Sequence, residues 1–345
     1  MNTCPALAYH RDEETGAVLI DPGSCIGCRY CSWVCPYGAP TFEPVRGVMG
    51  KCTFCVHRLK DGLGPACADL CPTGALSFAS VPSAELCTPV EGFSRTDLGP
   101  AIRIERVRRV EPPPQAAFPA PLVPVENAAS HQVKPVISFG AEWSLAAFTF
   151  LVIVMFATFT ALASKAMSLH PAIFATAAAL AGGLSLAHLG RPARAWRAVL
   201  NVRGSWLSRE VLGFGAFAVA GTAALVAGDR LSGGLTLAAW LVGLFTLVAI
   251  DQVYRPVYRR QNPVLDGGGA LLTGLYLAGL FSGLIMLAAP AWALKLAAET
   301  VGAAIVGEAM GRVSFYNRLV IQSPARQVRS DVKRRHASWQ AAEQP

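Results

Sequence analysis

The sequence predicts two domains of different fold class in one chain: a small α+β domain, then an all-α polytopic membrane domain of about six helices. Three observations support this division. Eight cysteines fall between Cys25 and Cys71. A proline-rich segment follows them, and long apolar runs dominate after it. Over the whole chain 53% of residues are hydrophobic and 15% are charged, with a mean hydropathy of +0.40, which is unusual for a soluble protein.

Changes in amino-acid composition along the chain predict the domain boundaries. Residues 1–110 have the composition of a soluble domain. Residues 111–135 form a linker, because their prolines exclude regular helix and favour extended geometry. Residues 136–322 form the membrane domain, and residues 323–345 form a basic tail. The net charge of +8 lies mostly beside apolar runs, which indicates membrane topology rather than nucleic-acid binding.

The eight cysteines form two groups, each ending in Cys-Pro. The first group reads C-x2-C-x2-C-x3-C-P and the second reads C-x2-C-x11-C-x3-C-P. A four-iron cluster needs four thiolates, and in two-cluster ferredoxins the cysteine before the proline ligates the other cluster. The spacing therefore predicts a ferredoxin-like 4Fe-4S domain. Zinc is the alternative, since C-x2-C pairs also build zinc sites.

A ninth cysteine, Cys4, stands alone before Pro5 and looks like the last cysteine of a further motif. The tenth, Cys87, belongs to neither group. The predicted metal ligands are Cys4, Cys25, Cys28, Cys31, Cys35, Cys52, Cys55, Cys67 and Cys71.

Six apolar runs are long enough, or nearly long enough, to cross a bilayer. The predicted spans are Trp143–Ser164, Ala172–His188, Val211–Gly228, Leu235–Ile250, Gly268–Ala289 and Trp292–Val306. The last run is the weakest, because it contains Lys295 and Glu299. Glycine and alanine are abundant in these runs and allow close helix packing in lipid.

Basic residues concentrate on one predicted side of the membrane. If all six spans cross, the loops after the second and fourth spans lie on the same side as the N-terminal domain. Their arginines are Arg191, Arg194, Arg197, Arg203, Arg209, Arg255, Arg259 and Arg260. The positive-inside rule then predicts a cytoplasmic iron–sulfur domain.

Two ionisable residues lie where apolar spans meet this basic side. His188 ends the second span and Glu210 precedes the third. Oxidation of a membrane quinol releases two protons and two electrons, so it needs bases at the edge of the hydrocarbon. The alternatives are a helix C-terminal histidine favoured by the macrodipole and a first-turn carboxylate or salt bridge.

The motifs resemble a known family. The segment Cys25–Phe78, with CIGCRYC, KCTFC and CPTGALSF, resembles the iron–sulfur subunit of dimethyl sulfoxide reductase-type molybdenum enzymes. Residues 141–320, with HLGRPARAW, SWLSRE and GEAMGRVSFY, resemble the membrane anchor subunit of the same complexes. The chain is therefore expected to be a fusion of the two subunits.

The resemblance implies an electron-transfer and quinone-binding subunit of a bacterial cytoplasmic membrane complex that serves anaerobic respiration. Its expected partners are a separate molybdopterin catalytic subunit, lipid, and menaquinol or ubiquinol, with no nucleic acid and no catalytic residue in this chain. The quinol-site residues it implies are His188, Arg191 and Glu210. The alternative function is a membrane transporter or redox sensor with a regulatory iron–sulfur domain.

The chain departs from the family in its motifs. The family's iron–sulfur subunit has four cysteine motifs and its anchor usually has eight spans. Here the first motif is absent and only Cys4 of the second is present. The N-terminal part of the iron–sulfur subunit is thus expected to be missing, to be supplied by an upstream segment or another polypeptide.

One to two clusters are expected within the chain, and two ligand arrangements remain open. Family pairing joins Cys4 to Cys25, Cys28 and Cys31 in one cluster. In the second arrangement, local exchange, Cys71 completes the cluster of Cys25, Cys28 and Cys31. Cys35 then completes a second cluster with Cys52, Cys55 and Cys67.

Overall fold

A computed structural model of the protein describes residues 2–35, 37–79, 139–163, 170–228, 233–258, 274–275 and 277–279. The predicted linker 111–135, the weak span Trp292–Val306 and the basic tail 323–345 lie outside the described residues. Of the predicted span Gly268–Ala289, only two short helical pieces are described, at residues 274–275 and 277–279.

The cysteine-rich domain consists of two small hairpins and three short helices. Strand β1 (Tyr9–Arg11) pairs antiparallel with β2 (Val18–Ile20), and β3 (Thr41–Glu43) pairs antiparallel with β4 (Val48–Gly50). The helices are α1 (Tyr30–Val34), α2 (Val56–Lys60) and α3 (Ala66–Asp69). The described residues after Cys71, up to residue 79, form a turn and no strand.

A turn leads from β2 into the first cysteine group. The carboxylate of Asp21 accepts hydrogen bonds from the amides of Gly23 and Ser24 at 2.9 and 3.0 Å, and the Asp21 carbonyl accepts one from Cys25 at 3.1 Å. Such an Asx turn is the local reason for Asp at the start of the Asp-Pro-Gly-Ser sequence. It fixes the position of Cys25.

Four long helices follow in the described part of the membrane domain. They are α4 (Phe139–Ala163), α5 (Pro171–Ala187), α6 (Trp206–Ala227) and α7 (Gly233–Tyr258). Three of them are long and apolar enough to cross a membrane, and α5 makes a fourth if it is counted with the 3₁₀ helix Pro192–Val199, from which it is bent by 104°. Among the described residues, four of the six predicted spans thus coincide with a helix.

The helices α4, α6 and α7 extend beyond the predicted spans. α4 begins four residues before Trp143, α6 begins at Trp206 rather than Val211, and α7 runs on to Tyr258. Arg209 and Arg255 therefore lie in helices rather than in loops. The hydropathy pattern ends at charged residues, whereas these helices continue because their polar ends meet the cysteine-rich domain.

Aromatic rings and glycines form the core between the helices. Phe156, Phe159, Phe174 and Phe217 are fully buried, with neighbouring ring centroids 5.7–6.4 Å apart. A Cβ at Gly243 would lie 2.8 Å from the rings of Phe156 and Phe217. Glycine at this position therefore lets α7 approach its neighbours closely, as small residues do at helix contacts in membranes.

The cysteine-rich domain docks on one end of the helices. Tyr30 and Trp33 of α1 belong to the same buried cluster as the α4–α7 core, and the Trp33 ring stacks on Tyr254 at 5.9 Å. The chain between α5 and α6 lies along the domain. The arginine-rich segment between α5 and α6 therefore contacts this domain.

Three glycine backbones meet at this contact. The amide of Gly190 donates to the carbonyl of Gly27 at 3.4 Å, and Gly27 and Gly47 have φ angles of +69° and +64°. A Cβ at Gly190 would lie 2.7 Å from the carbonyl carbon of Gly47 and 2.9 Å from the Phe42 ring. Side chains at these positions would keep the two domains apart.

We predict that Gly190→Ala lowers the thermal unfolding temperature of the detergent-solubilised protein, because the added methyl group meets backbone atoms that cannot move aside. Overpacking of this kind costs about 1–3 kcal/mol. Gly183→Ala is the matched control, since a Cβ there meets open space and alanine favours a helix. Equal unfolding temperatures for the two variants would contradict the close contact.

Candidate iron–sulfur centre and its junction with the membrane helices

Four cysteines line one small cavity in the N-terminal domain. They are Cys4, Cys25, Cys28 and Cys31, and the remaining lining is mostly apolar. Hairpin β1–β2 brings Cys4 to the later triplet. Cys71, which local exchange would place here, does not line the cavity. The structure thus brings together the set that family pairing implies.

Hydrogen-bond donors surround these sulfur atoms. The amides of Gly27 and Met49 each donate to Cys25 Sγ at 3.4 Å, and the amide of Ala8 donates to Cys4 Sγ at 3.4 Å. The Tyr9 hydroxyl hydrogen-bonds the Cys31 side chain. Donors aimed at sulfur are typical of cluster sites, where they help to set the reduction potential.

The electrostatics of the cavity also suit a metal cluster. Burial raises the pKa of the Cys31 thiol to about 11 and raises that of Cys28 well above its ordinary value. Such thiols are neutral at pH 7 unless a nearby cation favours the thiolate, and a bound metal supplies that charge. The donor set therefore fits a 4Fe-4S cluster.

Zinc is the alternative occupant of the cavity. In the described parts of the chain, no group of three or more His, Cys, Asp or Glu side chains is placed to hold one metal ion. Zinc needs its sulfur ligands about 2.3 Å from one centre. Each thiolate of a cubane binds a different iron atom, so the four sulfurs can stand further apart.

The other five predicted ligands do not join this cavity. Cys52 and Cys67 are exposed, while Cys35, Cys55 and Cys71 are partly buried. Cys55 precedes α2 with a φ of 50°, and the Phe54 amide donates to Cys52 Sγ at 3.4 Å. A hydrogen bond from Thr73 lowers the pKa of Cys71 to about 7. Among the described residues, the cysteines of the second group therefore do not line one cavity as a set of four.

The segment between α5 and α6 binds the cysteine-rich domain through main-chain oxygens. Arg194 donates to the carbonyls of Pro22 and Cys25 at 2.6 and 3.2 Å. Asn201 donates to those of Asn2 and Cys4 at 2.8 and 2.9 Å. Two of these carbonyls belong to Cys25 and Cys4, so the segment positions two of the four cavity cysteines directly.

Two further arginines complete this docking. Arg197 donates to Ser24 Oγ at 2.9 Å, and Arg191 donates to the Arg46 carbonyl at 2.8 Å. The resemblance implies a quinol-site role for Arg191. The structure gives its guanidinium a contact with the N-terminal domain, and the quinol-site role stays a prediction. From the sequence, Arg194 and Arg197 served only to predict the membrane topology. The docking role of Asn201 was not predicted, because Asn201 belongs to no recognised motif.

Buried polar groups collect where the two domains meet. Glu142 is 1% exposed and Glu210 is 2% exposed. Arg29 donates to Glu142 Oε1 at 3.1 Å, while Glu142 Oε2 and His188 Nδ1 are buried without a hydrogen-bond partner. An unpartnered buried polar atom costs about 1–3 kcal/mol. In native proteins such atoms are satisfied by ordered water, an ion or a ligand, so the junction is a candidate place for a polar ligand.

The predicted pair His188 and Glu210 lies at this junction. His188 follows the last residue of α5, and Glu210 lies in the second turn of α6. Glu210 is close enough to Tyr30 to interact with it electrostatically, and the Tyr30 hydroxyl donates to the Val253 carbonyl at 3.2 Å. Tyr30 and Cys28 are near neighbours in the chain, so the junction borders the cysteine cavity.

Fold and site together define a class of protein: an iron–sulfur domain joined to a membrane anchor. Residues 1–81 match the family described as 4Fe-4S dicluster domain, and residues 133–289 match the family described as DMSO reductase anchor subunit. The resemblance predicted from the sequence is therefore confirmed for both halves, and the chain carries the two domains in that order. No solved structure matches the chain.

Curated relatives match the N-terminal part. One polypeptide of the anaerobic dimethyl sulfoxide reductase of Escherichia coli is 45% identical over 78 residues, covering 23% of this chain and 38% of the relative. One subunit of the Allochromatium vinosum sulfite dehydrogenase is 42% identical over 84 residues, covering 23% of this chain and 35% of the relative. The electron transfer subunit PhsB of the Salmonella typhi thiosulfate reductase is 42% identical over 87 residues, covering 25% of this chain and 45% of the relative. The chain thus spans less than half the length of these relatives.

We predict that Arg194→Ala loosens the docking, because two carbonyls lose a charged donor worth about 1.5–3 kcal/mol each. Hydrogen exchange of the amides at residues 21–31 should accelerate. Arg203→Ala is the control, since the Arg203 side chain makes no hydrogen bond with the described residues. Unchanged exchange in Arg194→Ala would show that the contact does not hold the domains together.

Proposed function

We propose that the chain carries electrons between the membrane quinone pool and a separate molybdopterin catalytic subunit. One observation carries this proposal: the cavity lined by four cysteines is docked against the helix ends at which His188 and Glu210 lie. The anchor-type domain and the names of the relatives, which are subunits of dimethyl sulfoxide, sulfite and thiosulfate enzymes, support the same role.

Cys4, Cys25, Cys28 and Cys31 are proposed to hold one 4Fe-4S cluster. When bound, such a cluster accepts and releases one electron at a time. The chain's own part is to supply the four thiolates, to stabilise them with amide donors and to exclude water. Cys35, Cys52, Cys55, Cys67 and Cys71 are proposed as ligands of a further cluster whose set is completed by an upstream segment or another polypeptide.

His188 and Glu210 are proposed to bind a quinol and to accept its protons. Both lie at the end of the helices that meets the cysteine-rich domain, and ionisable residues at membrane depth are functional candidates. Menaquinol and ubiquinol have the same two hydroxyl groups, and both suit this assignment. Arg191 docks the two domains through the Arg46 carbonyl, and its part in the quinol site stays a prediction.

The proposed location is the bacterial cytoplasmic membrane, with the iron–sulfur domain on the cytoplasmic side. The arginines of the docking segment support this orientation through the positive-inside rule. A transporter function is disfavoured, because the middles of α4, α5, α6 and α7 contain no ionisable residue that could line a path. In the described helices, buried ionisable residues lie near the end that faces the cysteine cavity.

We predict that Glu210→Gln in the assembled complex lowers quinol-linked turnover by about 100-fold or more, because glutamine cannot accept a proton. Turnover of the catalytic partner with a reduced dye should persist. Glu13→Gln, an exposed position in the N-terminal domain, is the control and should leave both rates unchanged. Loss of dye-linked turnover in Glu210→Gln, or retention of quinol-linked turnover, would contradict the assignment.

A further inference from the structure

The ion pair between Arg29 and Glu142 joins the two domains at their most buried point. Arg29 follows the cluster-site residue Cys28 in the chain, and Glu142 lies in the first turns of α4. Their side chains meet at 3.1 Å and are 26% and 1% exposed. A carboxylate this deeply buried is costly unless it is paired and its remaining lone pairs are satisfied.

Arg29 is held in one position from several directions. Its backbone is left-handed, with a φ of 59°, at the residue that precedes α1. Its guanidinium lies 4.2 Å from the centroid of the Phe42 ring. Its carbonyl accepts a hydrogen bond from the hydroxyl of Ser32 at 2.7 Å. The arginine is thus a fixed charge beside the cysteine cavity.

Glu142 is also held in an unusual conformation. Its φ and ψ of −124° and 19° are not helical, although α4 continues on both sides of it. This kink accompanies a carboxylate that pairs with the neighbouring domain. Only Oε1 is paired, and Oε2 is buried without a partner. An oxygen left bare beside a fixed cation is a ready acceptor for a ligand hydroxyl.

The predicted base His188 faces the same cation. The Arg29 guanidinium is close enough to His188 to interact with it electrostatically, and His188 Nδ1 is likewise buried without a partner. Arg29, Glu142 and His188 therefore form one polar group between the cysteine cavity and the helix ends. Among the described residues, Arg29 is the charged group that pairs with Glu142, and it also approaches His188.

We propose that Glu142 is a further proton-accepting residue of the quinol site, held in place by Arg29. This inference rests on the proposed function. One quinol hydroxyl donates to Glu142 Oε2. On oxidation, the O–H bond of this hydroxyl breaks and its proton forms an O–H bond on Glu142 Oε2. The other quinol hydroxyl gives its proton to the pair His188 and Glu210. Cys4, Cys25, Cys28 and Cys31 would hold the four-iron cluster that accepts the two electrons of the quinol one at a time and passes them to the catalytic partner.

Arg29 acts here as a positioning residue. Its guanidinium binds Glu142 Oε1 and so leaves Oε2 facing away from the pair. The same guanidinium remains as the counter-charge of the site once the proton has moved. Glu142, the proposed proton acceptor, binds the guanidinium of Arg29. Cys28, a proposed ligand of the electron acceptor, precedes Arg29 in the chain, so both acceptors lie beside one residue.

The test compares Glu142→Gln with Glu43→Gln in the assembled complex. Glu43 is the matched control, because its carboxylate pairs with Arg46 at 3.3 Å on the exposed surface. With a short-chain naphthoquinol as substrate, Glu142→Gln should lower kcat at least about tenfold and change KM by less than about twofold, as expected for a lost proton acceptor. Dye-linked turnover should persist in both variants.

A second readout does not depend on turnover. Infrared difference spectra recorded as the naphthoquinol reduces the complex should show the carbonyl stretch of a newly protonated carboxylic acid. The band should be absent from Glu142→Gln and present in Glu43→Gln. If Glu142→Gln does not assemble, Glu142→Asp keeps a titratable group, and the band should appear there at a shifted frequency.

The outcomes separate the two proposals. If Glu142→Gln matches Glu43→Gln in kcat and in the carboxylic-acid band while Glu210→Gln loses quinol-linked turnover, the inference is overturned and the proposed function stands. An unshifted band in Glu142→Asp would overturn the inference as well. If Glu142→Gln and Glu210→Gln both keep full quinol-linked turnover, the proposed function itself fails.

Discussion

The structure depends on one contact: the main chain between α5 and α6 lies directly against the main chain of the first cysteine motif. Glycines at Gly27, Gly47 and Gly190 allow this approach. Arg194 and Asn201 then donate to carbonyls of the motif, including those of Cys25 and Cys4. Because the same backbone carries the sulfur ligands and the docking acceptors, the position of the cavity relative to the helices is fixed by a few short hydrogen bonds.

This contact creates a buried zone that neither domain would form alone. Arg29 comes from the cysteine-rich domain and Glu142 from α4, so each charge finds its partner only in the joined protein. Unpaired, either group would be strongly destabilising in a low-dielectric setting. The fusion of the two domains in one chain therefore has a physical consequence: the polar groups at the junction are both protected from water and left with unfilled hydrogen-bonding capacity.

The sequence predicted those features that follow from local spacing. Cysteine spacing identified the cluster domain, and hydropathy located the cores of α4 to α7. It did not predict the helix ends, because the polar residues there have protein partners. Glu142 pairs with Arg29 of the other domain, and Arg209 donates to the carbonyls of Val202 and Arg203. The choice between Cys4 and Cys71 also stayed open, since it depends on how hairpin β1–β2 folds back. Glu142 and Asn201 were missed because their partners lie more than a hundred residues away.

The central claim is that Cys4 completes one four-iron cluster with Cys25, Cys28 and Cys31. Iron and acid-labile sulfide per chain should be measured in protein extracted gently from its native membrane, for the wild type, Cys4→Ser and Cys87→Ser. The account predicts a loss of about four irons, with their electron paramagnetic resonance signal, in Cys4→Ser alone. Unchanged iron in Cys4→Ser, or bound zinc in place of iron in the wild type, would contradict it.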